Sequence, residues 1–244
     1  MQQRKRPGSN GGLGYYTECE KSHMKGCIYC GSSAETREHV PSKVFLDKPF
    51  PENLPTIPAC FRCNNDYSSD ENYVACFLDV LKESLYKDYK MRENTVKRLE
   101  KDHALKTLID LNIKKDDGKV FFDIDENRLL RILKKLARGH AGFELDYVDF
   151  NDTEMEVNYD FRFNLSIEEL NEFNQISVSQ VCPEIGSRGL LIIQNFESAE
   201  ALAFAGWHDI QDKYYRYQVG YNDNNDICVK MEIYEFLFCK VNFK

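Results

Sequence analysis

The pattern of apolar and polar positions divides the chain into a cysteine-rich segment, a helical stretch and a strand-rich C-terminal part. Between residues 25 and 66, Cys, Gly, Pro and Asn recur without a long apolar period. Beyond this segment, apolar residues return at three- and four-residue spacing, which is typical of one buried helix face. Ser68 followed by Glu71 matches a capping box and predicts the start of this helix. Its apolar positions are Val74, Phe77, Leu78, Leu81 and Leu85.

Further elements follow at regular intervals along the chain. Amphipathic patterns predict a helix over 92–112 and a basic helix over 126–138, with Gly139 as its C-terminal cap. Between them, "DDGK" at 116–119 predicts a turn, and "VFFDI" predicts a short strand. Alternating patterns predict strands at 155–163, "MEVNYDFRF", and in the C-terminal stretches "KYYRYQVGY", "DICVKMEIY" and "EFLFCKVNF". The connection "NDNND" is typical of a hairpin, so we expect an α+β fold with antiparallel strands.

Composition narrows the class of protein. The 244 residues are 42% apolar and 30% charged, which fits a folded chain. No apolar run is long enough to span a membrane, and the N-terminus has no apolar core of a secretory signal, so we expect a cytoplasmic protein. Residues 1–24 are expected to form a flexible polar arm. Nine cysteines in such a chain argue against a disulfide framework.

Net charge is −8, which disfavours a nucleic-acid partner when the chain is taken as a whole. The charge is unevenly distributed, because residues 1–65 carry +3 and the remainder carries −11. The positive balance therefore coincides with the cysteine-rich segment, where a local patch can still hold DNA.

Four of the cysteines form two C-x-x-C pairs, Cys27/Cys30 and Cys60/Cys63. Two such pairs supply four thiolates, the ligand set of a closed tetrahedral zinc site, so we expect structural Zn²⁺ here. The 29 residues between the pairs exceed the length of a minimal zinc ribbon, which predicts an additional structural element between them. The single cysteines are expected to be small buried apolar residues.

The stretch "ETREHVP" at 35–41 lies between the cysteine pairs. Glu38 offers a hard oxygen ligand for a divalent ion, and His39 titrates near neutral pH, as a general base does. On an extended segment these adjacent side chains point to opposite sides. Asn64, directly after Cys63, could complete the hard-ion site with its amide oxygen.

The order C-x2-C, acidic-His-apolar-Pro, Asn-Leu and C-x2-C-Asn resembles the HNH, or ββα-metal, endonucleases, in particular their zinc-stapled branch that includes phage endonuclease VII. The residues "CIYCGSSAETREHVPSKVF" and "ENLPTIPACFRCNNDYSSDE" carry this resemblance. It implies a β-hairpin followed by a helix that together hold one catalytic divalent ion. It also implies DNA phosphodiester hydrolysis that leaves 5′-phosphate and 3′-hydroxyl ends.

The resemblance assigns a role to each matching residue. His39 would be the general base that activates water, Glu38 and Asn64 would bind Mg²⁺ or Mn²⁺, and Asn53 would brace the loop that holds the base. The four paired cysteines would bind zinc. Two positions depart from the common pattern, because Glu38 stands where Asp is commoner and Asn64 where many members have His, which puts the metal preference in doubt.

Patterning and the resemblance together predict an arm over 1–24, a ββα-metal module over 25–90, and a helical connection with an α+β domain of unknown role over 91–244. Asp70 and Glu71 are expected to cap the helix, with a role as an added metal ligand as the alternative.

Several cations near the module have two interpretations. Arg37 and Lys43 flank the expected site and either hold phosphates or are ordinary surface cations. The basic helix over 126–138 either lines a groove for DNA or presents a solvated face.

A rival function is a non-catalytic zinc module that binds nucleic acid or protein. A zinc deaminase is excluded, because four thiolates leave no open zinc position and the His-x-Glu motif is missing. DNA is the expected partner, and a protein partner, a homodimer and a role in anti-phage defence stay open. No membrane partner is expected.

Overall fold

A computed structural model describes residues 26–175, 206–222 and 224–244 of the chain, so the expected arm over 1–24 lies outside the described residues. Strands β1 (Thr36–His39) and β2 (Thr56–Ala59) form an antiparallel hairpin, in which Glu38 pairs with Ile57 and His39 with Thr56. Helix α1 (Phe61–Leu85) begins directly after β2. The hairpin-then-helix order that the resemblance implies is therefore present.

Helix α1 begins eight residues earlier than the capping box predicts. Its N-cap is Cys60, whose Sγ accepts a hydrogen bond from the backbone N–H of Cys63 at 3.3 Å. Ser68 and Glu71 consequently lie inside the helix, so their predicted capping roles, and that of Asp70, are wrong. The second cysteine pair serves as the helix start.

The helix predicted over 92–112 is two helices, α2 (Glu93–Lys101) and α3 (His103–Asn112). Asp102 separates them, because its side chain accepts a hydrogen bond from Leu105 N at 2.9 Å and so caps α3. The break changes the buried face, and Val96 and Leu111 are exposed instead of buried.

Strands β3 (Ile113–Asp116) and β4 (Lys119–Phe122) form the hairpin expected around "DDGK". The turn residues Asp117 and Gly118 both have positive φ, 44° and 73°, as a two-residue hairpin turn of the primed type requires.

The basic helix, α4, spans Glu126–Leu145 and ends at Asp146. The predicted cap, Gly139, lies inside it, because the helix continues where its glycines pack against the cysteine-rich module. A Cβ on Gly139 would lie 3.5 Å from Val40, and one on Gly142 would lie 2.0 Å from Ile28 Cδ1. Close approach to the module therefore explains these glycines better than helix termination does.

The C-terminal part is a five-stranded antiparallel sheet in the order β5-β9-β8-β7-β6. The predicted strands in the three C-terminal stretches are confirmed, and the strand predicted over 155–163 ends at Phe161, because Arg162–Asn164 form a 3₁₀ helix. The strands are β5 (Met155–Phe161), β6 (His208–Gln211), β7 (Tyr215–Tyr221), β8 (Ile227–Ile233) and β9 (Leu237–Phe243). A short helix, α5 (Ile167–Asn174), follows β5.

Helix α4 is central because it contacts both the module and the sheet. On the sheet side, His140 Nε2 lies 2.8 Å from the Tyr215 hydroxyl, and Glu144 accepts a hydrogen bond from the Tyr217 hydroxyl. One core cluster joins α1, α4 and the sheet, and a smaller one lies beside the cysteines. The fold is mixed α+β with antiparallel sheets, as predicted. Among the described residues, no helix has the length and apolarity to cross a membrane.

We predict that Gly142→Ala lowers the free energy of unfolding by about 1–3 kcal/mol, because the added methyl overpacks the contact with Ile28. Gly139→Ala is the matched control, since its Cβ meets neighbours at ordinary distances and alanine raises helix propensity by about 0.5–1 kcal/mol. Urea unfolding of both variants measures the difference. Equal stability of the two variants would contradict the close packing of α4 on the module.

Candidate functional site

The two cysteine pairs lie in different local structures. Cys27 and Cys30 lie in a tight turn, in which the N–H groups of Cys30 and Gly31 both donate to the Cys27 carbonyl, at 3.3 and 2.8 Å. Gly31 has φ +73°, a conformation that favours glycine. Cys60 and Cys63 lie at the N-terminus of α1, where the helix dipole favours negative charge.

These turns bring the four sulfur atoms together, with every Sγ within 4.8 Å of the others. The Sγ atoms of Cys30 and Cys60 are 3.7 Å apart. Tetrahedral zinc with Zn–S bonds of about 2.3 Å separates its sulfur ligands by about 3.8 Å, whereas a disulfide bond is about 2.05 Å long. The residues therefore fit a tetrahedral zinc ion, and the predicted Cys₄ set is brought together.

The thiols of the cluster have shifted pKa values. Burial raises the pKa of Cys27 and of Cys63 above the usual thiol value. Hydrogen bonds from Ser32 lower the pKa of the exposed Cys30 to about 6. Four thiolates so close together need a positive ion between them, and a bound Zn²⁺ would supply that charge.

Strand β1 presents Glu38 and His39 to opposite faces, as predicted from the alternation of side chains along a strand. Glu38 points toward α1 and is only 7% exposed. Arg37 and His39 take the other face, where Arg37 donates to the Thr56 hydroxyl at 2.7 Å. The carboxylate and the imidazole are therefore adjacent in sequence but separated by the strand.

The Glu38 carboxylate belongs to a buried cluster with Ser42, Glu71 and Lys135. The Lys135 ammonium, on α4, donates to Glu38 Oε1 at 3.0 Å, to Ser42 Oγ at 2.6 Å and to Glu71 Oε1. Ser42 Oγ also lies within hydrogen-bonding distance of both carboxylates. Lys135 is 1% exposed, so its charge is balanced inside the protein.

Two aromatic rings enclose the same ammonium. The ring centres of Tyr29 and Tyr67 each lie 5.7 Å from Lys135 Nζ, within the range of cation–π attraction. Burial, followed by the charges of Glu38 and Glu71, raises the pKa of Tyr29 well above its usual value, so this phenol stays neutral. The pocket holds one cation between two carboxylates and two rings.

Glu38 and Asn64 are not joined in the structure. Asn64 lies nearer the cysteines, where its Nδ2 donates to Thr36 Oγ1 at 3.2 Å. Oε1 of the Glu38 carboxylate is already engaged by the Lys135 ammonium. Mg²⁺ or Mn²⁺ at these residues stays a prediction of the resemblance.

His39 is half-buried and has a lowered pKa. Burial is the larger cause, and the positive charge of nearby Lys43 adds to it. The neutral, basic form of the imidazole is therefore favoured at pH 7. Its Nδ1 is enclosed and makes no hydrogen bond to the described residues. Asn53, expected to brace this region, is exposed in the loop between β1 and β2.

Several basic residues of α4 contact α1. Arg131 donates to the Asp70 carboxylate and to the Asp66 carbonyl, and Arg128 lies 3.5 Å from Asp70. Together with buried Lys135, these cations attach α4 to α1. Contact of this helix with DNA stays a prediction.

Two members of the site, Lys135 and Glu71, were not identified from the sequence as acting together. Lys135 is 97 residues from Glu38, and no local pattern connects them. One signal was present, because Lys135 stands between the apolar positions Leu133 and Leu136 and so falls on the buried face of α4.

No protein-family model, curated protein or solved structure matches this chain.

We predict that the purified protein carries one tightly bound zinc ion and that Cys60→Ser loses it. Because the Cys60 sulfur also caps α1, this variant should melt at a lower temperature. Cys76→Ala is the control, since Cys76 lies in the α1 core away from the cluster and should retain the zinc. Elemental analysis with thermal unfolding measures both effects. Full zinc content in Cys60→Ser would contradict the Cys₄ site.

We predict that Lys135→Met lowers the free energy of unfolding by about 3–5 kcal/mol, because it leaves two buried carboxylates without their cation. Lys134→Met, one position away and half-buried, should cost far less. Added Mn²⁺ should raise the melting temperature of Lys135→Met more than that of the wild type, since the emptied position offers two carboxylates. Equal stability of the two lysine variants would contradict the cluster.

Proposed function

We propose that this protein is an HNH-type endonuclease that hydrolyses phosphodiester bonds of DNA, with His39 as the general base. The observation that carries the proposal is the orientation of β1, which turns a neutral imidazole away from the buried cluster and places it beside Lys43. The hairpin, the following helix and the Cys₄ set give this strand the setting that the resemblance implies.

The chemistry assigned to His39 is removal of a proton from water. Its enclosed Nδ1 leaves Nε2 to accept that proton. The resulting hydroxide attacks phosphorus, a new P–O bond forms, and the bond to the 3′-oxygen breaks. Cleavage then leaves a 5′-phosphate and, after protonation of the leaving oxygen, a 3′-hydroxyl.

The charge that develops on the phosphate requires nearby cations. Lys43 is exposed next to His39, and Arg37 lies on the same face of β1, so both are assigned to the phosphate. Glu38 and Glu71 hold the Lys135 ammonium on the opposite face. Zinc in the Cys₄ site has four protein ligands, which limits it to a structural role.

A second candidate function is a zinc module that binds DNA or protein without cleavage. The engagement of Glu38 by Lys135 favours it, because the residue expected to bind the catalytic ion is already paired. The two candidates differ in one respect that can be measured, which is turnover.

We predict that the purified protein nicks supercoiled plasmid DNA in the presence of Mg²⁺ or Mn²⁺. His39→Ala should slow cleavage by at least about 100-fold, the usual contribution of a general base, and keep its zinc. His103→Ala is the matched control, because His103 is exposed at the start of α3 and should leave the rate unchanged. Zinc-loaded wild-type protein that does not cleave DNA would favour the non-catalytic candidate.

A further inference from the structure

A cleft of about 280 Å³ lies between the segment that follows β1, helix α1 and helix α2. Four cations contribute to its lining, Lys43, Lys48, Arg92 and Arg98, and none of the described lining residues is an Asp or Glu. The residues of α2 that line this cleft are not among those that carry the family resemblance. The cleft is therefore a local site of positive charge in a chain whose net charge is −8.

The charges in the cleft are only partly balanced. Arg92 forms a buried ion pair with Asp79, at 3.1 Å. In the part of the chain that the structure describes, no carboxylate forms an ion pair with the other three cations. Lys43 rests over the Phe50 ring, at 5.5 Å, and Arg98 donates to the amide oxygen of Asn72.

Two carboxylates lie near the cleft. Glu93 pairs with Lys97 on the surface of α2, with Lys48 close enough to contribute to the lowered pKa of its carboxyl, and Asp47 accepts a hydrogen bond from Asn94 at 2.9 Å. Neither lines the cleft. The cleft consequently keeps a positive excess, which an anion from solution can neutralise.

The wall of the cleft is held in a fixed position. The guanidinium of Arg92 donates from Nη1 to the carbonyls of Val44 and Leu46, at 3.0 and 3.3 Å. These bonds attach the segment that carries Lys43 and Lys48 to α1 and α2. A preorganised cluster of cations loses little conformational entropy when it binds an anion.

The cleft is continuous with the proposed reaction site through Lys43. This lysine lines the cleft and also lies close enough to His39 for its charge to act on the imidazole. At about 280 Å³ the cleft has room for a phosphate group, and its cations complement the charge of that group.

We propose that this cleft binds a backbone phosphate of the DNA strand next to the phosphate that is cleaved at His39, an inference that rests on the proposed function. Lys48 and Arg98 contact that neighbouring phosphate, and Lys43 lies between this phosphate and the His39 imidazole. The site would position the strand without reading its sequence, because phosphate contacts carry no base information.

The test is fluorescence anisotropy of a labelled DNA duplex, without added divalent ion and in a His39→Ala background that prevents turnover. Lys48→Gln and Arg98→Gln should each weaken binding several-fold and reduce the slope of log affinity against log salt by about 0.9. Lys101→Gln, an exposed lysine at the end of the same helix, should leave both quantities unchanged. Lys48 is exposed, so its replacement does not threaten folding.

Unchanged affinity and slope in Lys48→Gln would overturn the inference, as would an equal loss in Lys101→Gln. The plasmid assay separates this result from the proposed function. If the wild-type protein cleaves plasmid DNA but Lys48→Gln binds the duplex normally, the phosphate site in the cleft is wrong and the proposed nuclease stands. If Lys48→Gln weakens binding but the wild-type protein does not cleave, the proposed nuclease is wrong and the cleft still binds DNA.

Discussion

The structure depends on one buried charge, the ammonium of Lys135. Two carboxylates, Glu38 on β1 and Glu71 on α1, are taken out of water and are stable there because this cation lies between them. The three groups come from elements far apart in the chain, so their pairing fixes β1, α1 and α4 against one another. It also fixes the rotation of β1, and since side chains alternate along a strand, an inward Glu38 places His39 on the outer face.

The cysteine cluster supplies a second, independent constraint. Few buried apolar residues surround it, and a segment of this size cannot build a core that would hold two short strands in place. A metal ion held by the four sulfur atoms would replace that core, and Cys60, one of the four, caps the start of α1. The glycines of α4 then allow the long helix to approach the module closely. The Cys₄ cluster, the ion pairs of Lys135 and the packing of α4 on the module together support the outer face of β1.

Much of this arrangement could be predicted from short-range signals in the sequence. The two C-x-x-C pairs, the alternation of Glu38 and His39, and the antiparallel C-terminal strands each depend on neighbouring residues, and the structure contains all three. The start of α1 could not be predicted, because a cysteine took the capping role that Ser68 was expected to have. The pairing of Lys135 with Glu38 spans 97 residues and arises only from tertiary packing. For the same reason the contact between Glu71 and Lys135 could not be predicted.

Strand β1 presents the His39 imidazole, whose pKa is lowered, beside Lys43 at the edge of a cleft lined by cations. The most direct test is a pH titration of the His39 ring by nuclear magnetic resonance, with the signal assigned by its loss in His39→Ala. The account predicts a pKa below the ordinary imidazole value of about 6.5, because burial and Lys43 both disfavour the charged ring. It also predicts that Lys43→Gln raises that pKa. A His39 pKa at or above the ordinary value, unaffected by Lys43→Gln, would contradict the account.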